Sequence, residues 1–147
     1  MWYRIFGASD ADPAPAAILE HLNDLTGVAG HFHGDETGWF RADLIVADAA
    51  TLAVERFLST EEGLRAELNS WAAHLEACGD GPETVRLMER IIQTRQLFTV
   101  QRPADEPPLL EDVCLSLCRF LAEATDGVYQ VDGAGFFAAD GRLLIGE

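Results

Sequence analysis

The same order of predicted elements occurs near both ends of this chain, and it restricts the fold more than any other feature of the sequence. Each end reads as a strand, an acidic segment containing proline, a helix, a break at glycine and valine, and a hairpin. The hexamers at residues 38–43 and 135–140 agree at four of six positions. The pattern predicts two βαββ units, at 1–47 and 95–145, related by duplication.

Convergence is the alternative explanation of this similarity. Glycine before an aromatic strand and Asp-Gly in a turn are both common in hairpins. Hairpins around residues 34–38 and at the Asp132-Gly133 turn are predicted from the local sequence alone, so they follow from either explanation.

The segment between the two units, residues 49–94, is predicted to be a helical insertion. Residues 49–58 form a first helix in this interpretation. A later helix, with Asp80 and Glu83 at capping-box spacing and Pro82 at its first position, runs to about Thr94. The helical phase predicts that the following side chains are buried: Trp71, Val85, Met88 and Ile92.

Helix starts are predicted from capping signals. Asp12 precedes Pro13, a residue that suits the first helical position, so Asp12 is expected to cap the helix of the first unit. Ser59 and Glu62 have the spacing of a capping box, which places the main helix of the insertion at 60–78.

Charge restricts the class of partner. Ten basic residues, all of them arginine, stand against 25 acidic ones, and the formal net charge is −15. The absence of lysine excludes lysine Schiff-base chemistry and a P-loop lysine. Phosphate binding needs a basic surface, so neither nucleic acid nor an anionic membrane is an expected partner. A basic protein is the expected one.

The cysteine content indicates a reducing compartment. Cys78, Cys114 and Cys118 are an odd number of thiols in a chain of 147 residues, a size at which disulfides are not needed for stability. No apolar stretch reaches the ~18 residues of a membrane span, and no targeting segment is recognised. We therefore expect a cytoplasmic protein, and no cofactor is predicted.

Two polar groupings suggest alternative chemistry. His31 and His33 alternate along a predicted strand, so both imidazoles point to one face and could share a metal ion, or form the solvated face of a hairpin. Four arginines between Arg86 and Arg102 are the local concentration of positive charge where an anion would bind.

Paired aromatic residues suggest a protein-binding face. Trp39-Phe40 and Phe136-Phe137 lie on predicted strands, where neighbouring side chains point to opposite faces of the sheet. If helices pack on one face only, one ring of each pair faces solvent or a partner. The alternative is that the helices within 60–94 cover the second face.

These observations predict an α+β fold with a mainly antiparallel sheet and helices packed on it. The chain is expected to be a single domain, 1–147, made of a first unit (1–48), the helical insertion (49–94), and a second unit with an extra C-terminal strand (95–147).

The expected function is binding or regulation, of the kind that inhibitors and immunity proteins perform, with a basic protein as partner. The other association considered is a homodimer of this chain. The expected binding residues are Trp2, Trp39, Asp132, Phe136 and Asp140. The alternative is a small metal-dependent enzyme or ligand-binding domain that uses the His31/His33 region or the Arg86–Arg102 cluster. Metal ligands are otherwise unassigned, and no catalytic residue is proposed.

Overall fold

The computed structural model describes residues 1–47, 50–103 and 107–147, and within them the chain forms four helices and eight strands. The helices are α1 (Pro15–Asn23), α2 (Leu64–Cys78), α3 (Pro82–Ile92) and α4 (Pro108–Ala124). The strands are β1 (Trp2–Gly7), β2 (Val28–Asp35), β3 (Gly38–Val46), β4 (Ala50–Leu58), β5 (Gln96–Gln101), β6 (Val128–Val131), β7 (Gly135–Ala138) and β8 (Leu143–Gly146).

All the strands join one antiparallel sheet in the order β2-β3-β4-β5-β1-β6-β7-β8. The first strand of the chain therefore lies inside the sheet, where β1 pairs with β5 on one side and with β6 on the other. The edges are β2 and β8. The predicted α+β class with a mainly antiparallel sheet is confirmed.

The proposed duplication is not confirmed. In the C-terminal half, β6 follows its helix and pairs directly with β1. In the N-terminal half, β2 follows its helix but lies at the edge, and β4 is the strand that reaches β5. The strand order thus differs between the two halves, and the repeat stays a prediction.

The helices pack on both faces of the sheet. On one face, here called the first face, α1 and α4 bury Ile18 and Val113 against Tyr3 and Phe98. On the opposite, second face, α2 and α3 form a separate core around Phe6. Residues alternate between the two faces along each strand, so each central strand contributes side chains to both cores.

Residues 50–58 form strand β4, and the prediction of a helix over 49–58 was wrong; residue 49 itself lies outside the described residues. Leu52 and Val54 are buried on the first face, and the intervening positions are exposed or half-buried. The pairing of β4 with both β3 and β5 provides ladder hydrogen bonds along its length, and this tertiary context overrides local helix propensity.

Two helix starts differ from the predictions. Helix α1 begins at Pro15 with Ala14 as its N-cap, and Asp12 instead lies beside the guanidinium of Arg56. Helix α2 begins at Leu64, because the segment before it turns at Gly63, where φ is +90°. Neither helix has a side-chain cap hydrogen bond.

The phase of α3 differs by one position from the prediction. Thr84, Leu87 and Ile91 face the sheet, whereas Val85 and Ile92 are 46% and 43% exposed and Met88 is half-buried. Both sets have helical spacing, so packing against the second face decides between them. In α2, Leu68 and Leu75 are fully buried, and Trp71 is half-buried at the edge of the same core.

The C-terminal half agrees closely with its predictions. The local sequence predicts a strand at 96–101, a helix over about 109–125, and short strands near 128–131, 135–138 and 142–145. Strand β5, helix α4 and the three closing strands lie within one or two residues of these bounds. Cys114 and Cys118 are fully buried in the first core, and Cys78 is exposed. Among the described helices, none combines the length and the apolar composition that a membrane crossing needs.

A buried arginine connects the N-terminal loop to the sheet. The Arg56 Nε donates to the Gln96 side-chain oxygen at 2.8 Å, and its Nη1 donates to the Trp39 carbonyl at 3.0 Å. The Asp12 carboxylate lies 3.6 Å from the same Nη1. Gln96 in turn donates to two carbonyls of residues 9–11. The network fixes the chain between β1 and α1 against β3, β4 and β5.

Replacing Leu87 with alanine should destabilise the fold by about 2–4 kcal/mol, because the change leaves a cavity in the second core. Val85→Ala, two residues away on the exposed side of α3, should change the free energy of unfolding by less than about 0.5 kcal/mol. Urea unfolding of both variants measures the difference. A larger loss for Val85→Ala would contradict the helical phase of α3.

The thiols should react in two classes. Burial raises the pKa of Cys114 to about 12 and raises that of Cys118, which disfavours the reactive thiolate. With a chromogenic disulfide reagent, Cys78 should react first, and the other two at least about a hundredfold more slowly, after the core opens. Equal rates for all three in the native protein would show that α4 does not cover the first face.

Candidate binding groove

Two of the predicted interface aromatics are buried, so they do not form an exposed face. Trp39 is 5% exposed on the first face, and its indole N–H donates to the Pro13 carbonyl at 2.8 Å. Phe136 is 1% exposed on the second face, beneath the Trp71 ring at 5.9 Å. The expectation that these rings mark the binding surface is corrected: α2 covers Phe136, and the first core takes up Trp39.

The adjacent rings, Phe40 and Phe137, point to the opposite side of the sheet from Trp39 and Phe136, respectively. Phe40 is 49% exposed, because β3 has one extra residue there relative to β2, a bulge that turns its side chain out. Phe137 is half-buried and stacks on Tyr129 with 5.2 Å between ring centroids. Of the three aromatic residues predicted to bind a partner, Trp39 and Phe136 are buried and Trp2 is 37% exposed.

The second face is covered along only part of the sheet. Helices α2 and α3 pack over β5, over β1 and over the strands from β6 to β8, together with the end of β4. Over β2 and β3 the outward side chains on this face, such as His31 and Arg41, are exposed. The helices thus cover part of the second face and leave the part over β2 and β3 open to solvent. A step forms where the first turns of α2 meet this uncovered part of the sheet.

A groove of about 410 Å³ lies at this step. Its floor is the second face of the sheet, and one wall is the segment from Glu61 into the first turns of α2. The apolar part of its lining is Trp2, Phe57, Leu64 and Leu97. A concave, partly apolar surface with a few polar groups at its rim is typical of ligand sites.

The polar lining is dominated by carboxylates. Glu55, Glu61, Glu62 and Glu67 surround the groove, against one guanidinium, that of Arg4. Glu61 accepts a hydrogen bond from the Leu58 backbone N–H. Glu67 accepts one from the Trp71 indole N–H at 3.2 Å. These two contacts orient carboxylates that remain exposed at the rim.

Arg4 closes one end of the groove. Its guanidinium lies 4.7 Å from the Trp71 ring centroid and 5.9 Å from that of Trp2. Its Nη1 donates to Asp132 and to Gln130, both at 2.8 Å. The cation is therefore held by two aromatic rings, one carboxylate and one amide, and its side chain is only 18% exposed.

Asp132 is fixed as a charged group at this end. Burial alone would raise its pKa, but hydrogen bonds from Arg4, from Gln130 and from the backbone N–H of Trp2 together hold the pKa below its usual value. The structure thus brings two of the predicted binding residues, Trp2 and Asp132, to one place.

Asp140, the remaining predicted binding residue, lies elsewhere. Its carboxylate accepts a hydrogen bond from the Arg142 backbone N–H at 2.9 Å in the turn before β8. It lines a separate depression that Arg86 and Arg90 also border. Its local role is the turn chemistry typical of an Asp-Gly sequence.

The two candidate metal ligands are exposed on the uncovered face. The His33 Nε2 lies 3.2 Å from the Asp43 carboxylate. The pKa of Asp43 is lowered chiefly by its hydrogen bond from Arg41, with a smaller contribution from His33. Among the described residues, no three or more His, Cys, Asp or Glu side chains lie together in an arrangement that could hold a metal ion.

The arginines between 86 and 102 do not form one site. Arg86 lies 3.8 Å from Glu83, and Arg90 donates to the Asp126 carbonyl at 2.9 Å. Arg95 and Arg102 lie at opposite ends of β5, where Arg95 is 3.5 Å from Asp10. The fold therefore does not gather these four arginines, which are near one another in the sequence, at one place.

One polar contact between helices was not anticipated. The Ser116 hydroxyl lies 2.9 Å from the His21 Nε2, joining α4 to α1 on the outside of the first face. The His21 ring also packs on Phe120, at 4.8 Å between centroids. Ser116 occupies the interior of a regular helix, a position without the strained turn that exposes a nucleophilic serine.

Sequence reasoning missed Glu55 and Phe57, the groove residues on β4, because it placed them on a helix. The signal was present as an alternation in 51–56, where Leu52 and Val54 alternate with smaller or polar residues. Glu61 and Glu62 had been assigned to the start of a helix and instead form the loop wall of the groove.

No protein-family model, no curated protein and no solved structure matches this chain in comparison.

Asp132→Asn should destabilise the protein at neutral pH and lose that effect in acid. The pKa of Asp132 is lower in the folded protein than in the unfolded chain, where it is about 3.9, so the ionised carboxylate stabilises the fold at pH values above about 3.9. This stabilisation is lost as the pH falls through the folded-state pKa. Because the Asp132 side chain is 39% exposed, the neutral-pH loss should be about 1 kcal/mol or less.

Urea unfolding from pH 7 to pH 3 measures the difference between the two proteins. Asp112→Asn, which removes an exposed carboxylate from α4, should stay within about 0.5 kcal/mol of wild type at pH 7. A difference between wild type and Asp132→Asn that persists unchanged at pH 3 would mean that the ion pair with Arg4 is not its cause.

Proposed function

We propose that this protein binds a basic protein partner through the groove between the uncovered sheet and α2, and that it acts by occupying a surface of that partner. Inhibitors and immunity proteins work in this way. The observation that carries the proposal is the combination of an apolar floor, which includes Trp2 and Phe57, with the four glutamates of the rim.

Such a lining suits a long cationic side chain. The aliphatic stem of an arginine or lysine can contact Phe57 and Leu97 while its charged end meets Glu62 or Glu67. Trp2, partly exposed at the groove, offers a ring face to the same cation. Aromatic anchors surrounded by polar groups contribute most of the binding energy in many interfaces.

The charge of the whole chain supports the same partner. With a net charge of −15, the protein attracts a basic surface at long range and repels acidic ones. Complementary charge of this kind mainly raises the association rate and selects among partners.

A reducing compartment, with the cytoplasm as the proposed one, is consistent with the thiols. Cys114 and Cys118 lie one helical turn apart in the first core, and both are free. A chain folding under oxidising conditions would expose these thiols to oxidation before burial.

The test uses a synthetic octapeptide with four arginines alternating with glycines, titrated into the full chain and followed by calorimetry. Binding should be measurable near 20 mM salt and weaken strongly by about 150 mM, where the Debye length is ~8 Å. A triple variant of the groove carries Glu61→Gln, Glu62→Gln and Glu67→Gln. Its affinity for the peptide should be roughly tenfold lower than that of wild type, because exposed charge pairs contribute ~0.2–1 kcal/mol each.

A matched control removes the same charge elsewhere. Glutamine retains the acceptor oxygen that Glu61 and Glu67 use internally, so the groove variant should fold normally. A control triple variant at exposed positions should bind the peptide within about twofold of wild type: Glu20→Gln, Glu76→Gln and Glu89→Gln. Equal weakening in both triple variants would leave only non-specific attraction and refute the groove as the site.

A further inference from the structure

A second depression lies directly beside the groove. It has a volume of about 390 Å³ and shares three lining residues with the groove, Glu55, Phe57 and Glu61. On its far side are the turn between β2 and β3, with Asp35, and the bulged Phe40. The two spaces are therefore neighbouring pockets with one common wall.

The two pockets repeat the same chemistry. In the groove, Glu62 and Glu67 accompany the Trp2 ring; in the second pocket, Asp35 accompanies the exposed Phe40 ring. The Asp35 carboxylate accepts hydrogen bonds from the Thr37 hydroxyl and backbone N–H at 2.6 and 2.8 Å, and these lower its pKa. Each pocket thus offers at least one carboxylate and an aromatic surface.

Arg4 shows which cation this combination fits. Its planar guanidinium lies near the Trp2 and Trp71 rings and pairs with the Asp132 carboxylate at the end of the groove. A guanidinium stacks on aromatic rings and bonds carboxylates in a planar geometry, which an ammonium does not. The pockets beside it present the same two kinds of group.

The spacing of the pockets fits an extended chain. The groove extends over β4, β5 and β1, whereas the second pocket lies over β3 and β4. Counted across the sheet, the two sets of lining strands are offset by about one and a half strand spacings, roughly 7 Å. Residues i and i+2 of an extended chain are separated by about the same distance, and their side chains point to the same side.

We propose that the partner presents an extended segment with two arginines at positions i and i+2, and that one side chain enters each pocket. This inference rests on the proposed function, since it specifies the part of the basic partner that the acidic groove binds. Charge complementarity selects the occupant: both pockets carry carboxylates, and the shared wall carries two more, Glu55 and Glu61. The one arginine that lines the second pocket, Arg56, is buried and already bonded within the protein.

The test compares three nonapeptides of equal length and charge, built from glycine and serine with two arginines. The arginines stand at i and i+1, at i and i+2, or at i and i+6. The i,i+2 peptide should bind at least about tenfold more tightly than the others, because the second contact becomes intramolecular only when the spacing matches. Adjacent arginines point to opposite sides of an extended chain, and a spacing of six residues spans roughly 20 Å.

The outcomes separate this inference from the proposed function. Equal affinity of the three peptides, reduced in each case by the glutamate triple variant, would overturn the two-pocket proposal and leave the groove as the site. No binding of any basic peptide, including the octapeptide with four arginines, would refute the proposed function itself.

Single variants assign each pocket. Asp35→Asn alters only the second pocket and Glu62→Gln only the groove. Each should reduce the preference for the i,i+2 peptide by about threefold or more, with little effect on the i,i+1 peptide. Asparagine can still accept the turn hydrogen bonds from Thr37, so folding should be retained.

Glu36→Gln provides the control within the same turn. Glu36 is exposed and adjacent to Asp35 but does not line the second pocket. Its replacement should retain the i,i+2 preference in full. A loss of preference in Glu36→Gln equal to that in Asp35→Asn would show that the net charge of the turn, and not the second pocket, determines binding.

Discussion

The position of β1 inside the sheet is the constraint on which the rest of the molecule depends. This strand is hydrogen-bonded on both sides, so its side chains have no solvent edge and must alternate between two covered faces. Tyr3 and Ile5 enter the core beneath α1 and α4, and Phe6 enters the core beneath α2 and α3. A one-residue slip would exchange the two sets and disrupt both cores.

Arg4 follows from the same alternation. It lies on the second face between Trp2 and Phe6, at the point where helical cover gives way to open sheet. A charged residue on a central strand needs partners, and Trp71, Gln130 and Asp132 provide them. The groove therefore begins at a cation that the fold has already neutralised, and its remaining rim is acidic.

The elements predicted well were those whose evidence is local. The hairpins, β5 and α4 follow from turn residues and a single strong periodicity. The errors arose where two patterns compete and only packing decides. In α3, the stripe that begins at Thr84 and the one that begins at Val85 both have helical spacing and mainly apolar members, and packing against the sheet selects the first.

The candidate site was predicted in part for the same physical reason. Trp2 and Asp132 were expected at a binding surface and meet at the end of the groove, because β1 and β6 are neighbours. The glutamates of the rim could not be placed from sequence, since their meeting depends on how β4 and the start of α2 pack together. Local sequence specifies alternation along a strand but not which helix covers it.

The edge position of β2 bears on the colloidal behaviour of the protein. At Val28 the outer backbone N–H and C=O are hydrogen-bonded to the Asn23 side chain. Beyond Val28 the outer side of the strand has no neighbouring strand, and its sequence contains neither the proline nor the lysine that commonly blocks edge pairing. Mutual repulsion between molecules of charge −15 opposes contact between two such edges. The large acidic charge thus opposes self-association through this edge, and acidification that protonates the carboxylates weakens that repulsion.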